Sequence, residues 1–474
     1  MARYQYDVTV LGGGSGGLTA ARLAAALGAR TALIDKECLG GDCLYYGCVP
    51  SKTLIHVARV VSLAKASLDL GLASADLKVD MARISAHVQR VIERVSEVEQ
   101  VYVKDVSVRF GHATFRSEHE IDVDGDILSS KRLIIATGSR PRVPPVEGLQ
   151  EVGYLTNEDV FDLRHLPPSL IVVGGGPVGV ELAQAFARLG SQVTLIQGPG
   201  RVLPKEDPEV SDAIAQALAR DRVNLELGAR MVRVSRRDEK KVVVAQRGDS
   251  VFSVEADAIL LAVGRSPNVE GLNLEAAGVA YDQKGIKTDA YLQTSASTIS
   301  AIGDVIGGYL FTHVAAYQAG IAVRNALVPV GRKKVNYRVL PWATFTDPEA
   351  ARVGLTEEEA RGQGQQIRVV RFPWSEIDRA QTEGEREGFI KIILSQKGDK
   401  MLGAHLVGGR AGELLGELAL AMRHHLGLPA ILATIHAYPT LSSGVQQTAF
   451  EAYLESPALR NARKFIRFLL ALRG

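Results

Sequence analysis

Thiols are scarce in this chain of 474 residues. There are three cysteines, and Cys38, Cys43 and Cys48 all fall inside one stretch, CLGGDCLYYGCVPSKT. So few thiols argue against a disulfide scaffold of the kind that holds small secreted domains together. An excess of charge of one sign is also missing. With 55 basic against 53 acidic residues there is no basic field for nucleic acid and no acidic field for cationic partners. No uninterrupted apolar run reaches about eighteen residues, so no membrane-crossing helix is expected. The opening MARYQYDVTVLGGG meets its glycines after an apolar run too short for a secretion signal. Low-complexity segments are absent. The chain is expected to be cytoplasmic and to work on small molecules.

What is present is apolar material for large cores, 46% of residues against 23% charged, in a length that suits about three domains. YDVTVLGGGSGGLTAARLAAALGARTALIDK reads as strand, glycine turn, alanine-rich helix and second strand. Gly12, Gly14 and Gly17 stand in GxGxxG spacing. Such glycines allow a tight turn, close approach of a pyrophosphate to the backbone, and close packing of the helix whose N-terminal N–H groups face the anion. Asp35, followed by Lys36, ends the second strand, where an acid can accept from a ribose.

The pattern returns in SLIVVGGGPVGVELAQAFARLGSQVTLIQ, with Gly174, Gly176 and Gly179. Two dinucleotides are therefore implied. Here the second strand ends in Gln197 instead of an acid, and Arg201 follows, either as a partner for a 2′-phosphate or as a solvated loop charge, which leaves NADH and NADPH both open. ATGSRP (with Thr137 and Gly138) and LAVGRSP (with Gly264 and Arg265) follow apolar runs and read as strand exits closing the two nucleotide folds. AIGDV, with Gly303 and Asp304, continues the first. The expected architecture is α/β: two Rossmann-like dinucleotide-binding domains plus a C-terminal α+β domain. The boundaries are 1–150, 151–279, 280–338 as a return to the first fold, and 339–474.

Cys43 and Cys48 are five residues apart. On a regular helix their Cα atoms would lie roughly 8–9 Å apart, beyond the roughly 7 Å that a disulfide tolerates, so a bridge requires broken backbone, which Gly47 makes accessible. Zinc needs a fourth ligand besides three cysteines, with His56 the nearest histidine, and no metal site is expected. A structural disulfide would be unusual in a reducing compartment. A redox-active dithiol is the preferred reading, with Cys38 a small packed residue.

GGDCLYYGCVPSK after one GxGxxG, a second GxGxxG, ATGSRP, AIGDV and a C-terminal HAYPTLSSG together resemble the flavoprotein pyridine nucleotide-disulfide oxidoreductases, from about residue 5 to 455. The family includes dihydrolipoamide dehydrogenases, glutathione reductases and mercuric reductases. The resemblance implies FAD on the first fold, with Asp35 on its adenosine ribose, Asp304 on its ribityl chain and Gly41 in the cofactor loop, and NADH or NADPH on the second. It also implies a Cys43–Cys48 disulfide with Cys48 toward the flavin and Cys43 toward substrate, an ion pair between Lys52 and Glu181 beside the flavin, and a homodimer.

The C-terminal motif departs from its relatives. Tyr438 stands where the dithiol enzymes carry a histidine base, and Ser443 where a glutamate orients it. A tyrosine titrating near 10 does not serve a neutral-pH proton transfer; His436, two residues away, is a possible substitute. Mercuric reductases resemble the chain more at this position, but their C-terminal cysteine pair and N-terminal metal-binding domain have no counterpart in it. The expected function is an FAD-dependent NAD(P)H oxidoreductase serving a thiophilic acceptor, a disulfide or a thiol-bound soft metal ion. The alternatives are a dihydrolipoamide dehydrogenase using His436, or a flavin redox sensor docked to a membrane or partner by residues 457–474. In that tail Arg460, Arg463, Lys464 and Arg467 lie on one side of a helix and Leu459, Ala462, Ile466, Leu469 and Leu470 on another. Packing of the apolar side on the protein itself or on a twin subunit is the preferred expectation.

Overall fold

Continuous apolar runs that end in glycine predict strands buried on both faces. The run Tyr6–Leu11, buried from Val8 onward, is one of these. The computed structural model describes residues 4–67, 71–72, 77–101, 103–396 and 400–472. The chain divides into two units. The first takes Met1–Val173, Arg233–Val242 and Glu255–Asn336, and the second Gly174–Val232, Val243–Val254 and Tyr337–Gly474.

In the first unit Tyr6–Leu11 lies between Thr31–Asp35 and Asp126–Ile135, with Ser107–Phe110 outside Thr31–Asp35, all parallel. The short strands Ala113–Phe115 and Glu120–Val123 extend the sheet antiparallel. Ile299–Ala301 then returns from far along the chain to pair in parallel with Asp126–Ile135. AIGDV therefore belongs to the first fold, as expected. Three strand ends are level with one another: the Gly12 N–H bonds the Ile34 carbonyl, the Ala136 N–H that of Leu11, and the Ile302 N–H that of Ile135. The loops after Leu11, Ile135 and Ala301 thus open at the carboxyl edge of one sheet, the place where such sheets bind ligands. Helices Ser15–Ala26 and Thr312–Leu327 pack together through Ala20, Ala21 and Ala24 against Ala319, Ala322 and Val323, small side chains that permit a close approach.

In the second unit the helix Pro177–Leu189 follows the second glycine run, and Gln192–Gln197 pairs in parallel with Asn224–Leu227. The same unit holds a five-stranded antiparallel sheet, in the order Pro341–Thr344, Glu349–Gly354, Met401–Gly408, Phe389–Ser395, Ile367–Pro373. Trp374, Ile390, Leu406, Leu418 and Val445 fill its core. The final helix, Pro457–Ala471, is capped by the Ser456 hydroxyl, which accepts from the Leu459 N–H. It touches the helix Ser443–Leu454. Of the two coverings expected for its apolar side, the chain itself or a twin subunit, the chain itself does not supply one, since Phe465, Ile466, Phe468, Leu469 and Leu470 are exposed on the single subunit.

A buried cation ties this unit together. Lys391 is 1% exposed, and its ammonium lies 2.9 Å from Asp207, 2.8 Å from Glu209 and 3.0 Å from Glu357. Replacing Lys391 by Met would strand the fully buried Asp207 carboxylate, at a cost of about 3–5 kcal/mol. Urea unfolding of wild type and Lys391→Met measures this, and a loss below about 1 kcal/mol would contradict it. Bonds from Arg371 first and Lys391 second hold Glu209 at about 2, below its ordinary 4.5. A depressed carboxylate stabilises the fold above its ordinary value, so this contribution should fade as pH falls from 4.5 through about 2.

Candidate active site

The thiol segment begins as a short helix, Gly41–Tyr45, which ends when the Tyr46 N–H bonds the Asp42 carbonyl at 2.9 Å. A new helix, Cys48–Ala66, starts two residues later. Gly47 permits the break, because a Cβ there would stand 2.9 Å from the Asp42 carbonyl oxygen and 3.0 Å from the Cys43 Cα. The fold-back brings the two sulfurs into hydrogen-bond contact, and the Cys48 N–H, at the start of the 19-residue helix, donates to the Cys43 sulfur. The Cys48 Sγ lies 3.7 Å from the hydroxyl of Thr312, first residue of the helix Thr312–Leu327. The bond with Cys48 and, second, burial push the Cys43 thiol well above the usual thiol range. Cys43 is half-buried and Cys48 exposed. Lys52 follows Cys48 by four positions, one turn further along the same side of the helix.

Around this break stands a polar cluster that no motif announced. The Arg265 guanidinium lies 2.8 Å from Asp42 and donates to the Ser139 hydroxyl at 2.7 Å, which in turn donates to Asp304 at 2.6 Å. Asn157 donates to the Tyr46 carbonyl at 2.9 Å. Gly264 and Arg265, expected at the exit of the second nucleotide fold, follow Ala258–Leu261, which pairs in parallel with Ser169–Val173, the strand leading into the second glycine run. Thr137 donates to the Asn268 carbonyl at 2.8 Å, and the Asn268 N–H donates to Gly138 at 3.0 Å. Burial pushes Asp304 up, against the pull of the Ser139 bond.

The glycine turns can be tested for a dinucleotide by asking what a Cβ would meet. At Gly17 it would stand 1.8 Å from the Gly12 carbonyl oxygen, and at Gly12, where φ is +104°, 2.4 Å from that of Ala136. These two must be glycine for the backbone to close. Gly14 differs, since its Cβ would enter open space with Gly41 Cα nearest at 3.9 Å; at Gly176 nothing lies within 4 Å. Each turn therefore leaves clear the strip that a pyrophosphate would fill, ahead of the helices beginning at Ser15 and Pro177. Asp35 accepts from the N–H groups of Gly13, Glu37 and Cys38, bracing the turn, while Lys36 makes an exposed ion pair with Glu37. Gly303 donates its N–H to Gln318 at 2.6 Å. These residues fit a dinucleotide.

In the second unit Glu181 is buried and accepts from the Phe345 N–H at 2.8 Å. Gly174 and Gly179 shape the turn and the buried face of the helix. The C-terminal motif holds a further arrangement that its spacing did not signal. The His436 ring has both nitrogens engaged, Nδ1 with the Thr434 carbonyl and Nε2 with Glu417, each at 2.9 Å. Tyr438 is 74% exposed and donates to Asp378 at 2.9 Å, and this bond raises its hydroxyl above the ordinary 10. Glu417 and Asp378 lie on distant helices, so only the folded chain shows them as partners.

Two family models match the chain, pyridine nucleotide-disulphide oxidoreductase over residues 6–319 and that family's dimerisation domain over 340–449. The chain belongs to the pyridine nucleotide-disulphide oxidoreductases. A mercuric reductase of Bacillus cereus is 37% identical over 94% of this chain and 71% of its own. A dihydrolipoyl dehydrogenase of Chlorobaculum tepidum is 37% identical over 94% and 97%. Among solved structures, the HOCl-induced flavoprotein disulfide reductase RclA from Escherichia coli superposes with a TM-score of 0.84 at 30% identity, covering 93% of this chain and 99% of that one. A Cu(II) complex of RclA superposes equally well. The protein is thus an FAD-dependent oxidoreductase of NADH or NADPH.

Gly17→Val should abolish flavin retention, because no rearrangement of a side chain can relieve contact with a backbone carbonyl. The expected result is colourless purified protein with an unchanged far-UV spectrum, and a yellow variant with full flavin content would contradict it.

Proposed function

We propose that the protein carries electrons from a nicotinamide to the Cys43–Cys48 pair and delivers them to a thiophilic metal ion, mercuric ion being the type, in preference to a lipoyl disulfide. The observation that supports this is the lack of an available base in the HAYPT segment, since both His436 nitrogens are engaged and Tyr438 holds its proton. Bound FAD supplies the two-electron acceptor between nicotinamide and disulfide. On reduction the Cys43–Cys48 bond breaks and two protons are taken up. A disulfide substrate then needs a group that removes the Cys43 proton and returns one to the leaving thiol. A metal cation does that work itself, because it displaces the proton from each coordinating thiol. The net reaction balances as NAD(P)H plus Hg(II) giving NAD(P)+, a proton and elemental mercury.

In this reading Cys43 meets the acceptor, Cys48 faces the flavin, and Lys52 favours the anionic state there. Asp35, Lys36, Gly41, Thr137, Gly138, Gly264, Arg265 and Asp304 serve the FAD, and Gln197 the nicotinamide dinucleotide. The dimerisation domain supports a homodimer in which the Tyr438 segment of one subunit reaches the thiols of the other. Steady-state rates with mercuric thiolates, lipoamide and glutathione disulfide test the choice of acceptor. Restoring the base with Tyr438→His and Ser443→Glu should raise lipoamide turnover about 100-fold; a wild type that already turns over lipoamide faster than mercuric thiolate would overturn the proposal.

The exposed final helix supports a second role. Its four basic residues lie opposite Phe465, Ile466 and Leu469, a pattern that suits the surface of an anionic bilayer. At about 1 kcal/mol per basic residue, the attraction is weak and screened by salt. Sedimentation with phosphatidylserine vesicles should show binding at low salt that is lost in a chain ending at Ser456; equal sedimentation of the two chains would end this reading.

A further inference from the structure

The two nucleotide folds contain the same brace built from different chemistry. In the first, the side chain ending the second strand accepts from the N–H of the middle glycine in the GGG run, Asp35 from Gly13 at 2.6 Å. In the second, Gln197 accepts from Gly175 at 2.8 Å, across the same sequence separation of 22. The geometry is kept and the negative charge is removed. Gln197 is 7% exposed, and its amide nitrogen donates to the Arg201 carbonyl at 3.3 Å. The Leu203 N–H bonds the Gly175 carbonyl at 2.8 Å. Arg201 is therefore carried on a loop tied at both ends to the glycine turn. Its guanidinium meets the Pro204 carbonyl at 3.3 Å and the exposed Glu358 at 3.7 Å, a surface contact weak enough to exchange. Beside the same loop, the exposed Arg230 lies along Gly198, where a Cβ would come 3.5 Å from its Cγ and 3.7 Å from its Nε.

We infer that Gln197, Arg201 and Arg230 make the second fold select a 2′-phosphorylated nicotinamide dinucleotide, NADPH, over NADH. A carboxylate in the place of Gln197 would accept from a free 2′-hydroxyl and repel a 2′-phosphate. A neutral amide flanked by two guanidiniums removes the repulsion and supplies donors suited to phosphate. The inference rests on the proposed reading that this fold holds the nicotinamide substrate.

The test is calorimetric titration of the flavin-loaded protein with 2′,5′-ADP and with 5′-AMP, which needs no turnover. Wild type should bind 2′,5′-ADP roughly 10- to 100-fold more tightly, the size of one or two hydrogen bonds to a charged group, and the margin should shrink with added salt. Gln197→Glu, which keeps an acceptor for Gly175, should lose most of that margin, through weaker 2′,5′-ADP binding and tighter 5′-AMP binding. Arg201→Ala with Arg230→Ala, both at exposed or half-exposed positions, should lose most of it while leaving 5′-AMP binding in place. Equal affinities or tighter 5′-AMP binding in the wild type, or an unchanged margin in both variants, would overturn the inference. Binding of neither ligand would overturn the underlying assignment of the fold.

Discussion

Contact between two sulfurs across a broken helix is the constraint around which the first unit is built. A continuous helix from Gly41 through Ala66 would satisfy every backbone bond and hold Cys43 and Cys48 too far apart to react with each other. The chain gives up that continuity at Tyr46 and Gly47 and recovers the lost bonds locally. Tyr46 closes the first helix on Asp42, and Ser51 opens the second on the Gly47 carbonyl at 3.1 Å. The recovered helix places its N-terminus against the Cys43 sulfur, where its dipole favours developing negative charge.

Much of this was legible in the sequence because glycine leaves an unambiguous trace. Gly12 and Gly17 are required by contacts with carbonyl oxygens at 2.4 and 1.8 Å, so their spacing reported the turn faithfully. The need for a break between Cys43 and Cys48 followed from helix dimensions alone. Long-range polar partners left no such trace. Glu417 reaches His436 from 19 positions upstream, and Asp378 reaches Tyr438 from 60, separations that match no secondary-structure period. Arg265 follows a strand, Ala258–Leu261, that pairs with the strand leading into the second glycine run, as its motif suggested, but only the folded chain shows its guanidinium against Asp42. The tail was left open for a related reason: amphipathicity predicts that a face will be covered but does not say by what.

The second unit illustrates how buried charge is made tolerable. Asp207 caps the helix Pro208–Arg220 by accepting from the Glu209 N–H and also holds the Lys391 ammonium. One carboxylate thus satisfies a helix end and a buried cation together, and Glu209 and Glu357 complete the shell around that cation. Neither charge is left without a counter-charge. The desolvation cost of each is offset only while all of them remain in place, which makes the cluster a poor site for substitution and a good clamp between a helix and the sheet strand Phe389–Ser395.

The same reasoning explains why an arginine stands beside the thiols. Asp42 immediately precedes Cys43, and an uncompensated carboxylate there would oppose formation of a thiolate on the pair. Glu158 is nearby as well, and burial together with the Asp42 charge pushes it up. Arg265, 2.8 Å from Asp42 and 3.7 Å from Asp304, supplies the positive charge that both acids require. Its contact with Asp42 lets that residue close the first helix without charging the ground beside the sulfurs, and its contact with Ser139 fixes the hydroxyl that donates to Asp304. Thus the residue that neutralises the helix break also orients the acid at the end of the returning strand, so the thiol pair and the cofactor edge of the sheet share one electrostatic support.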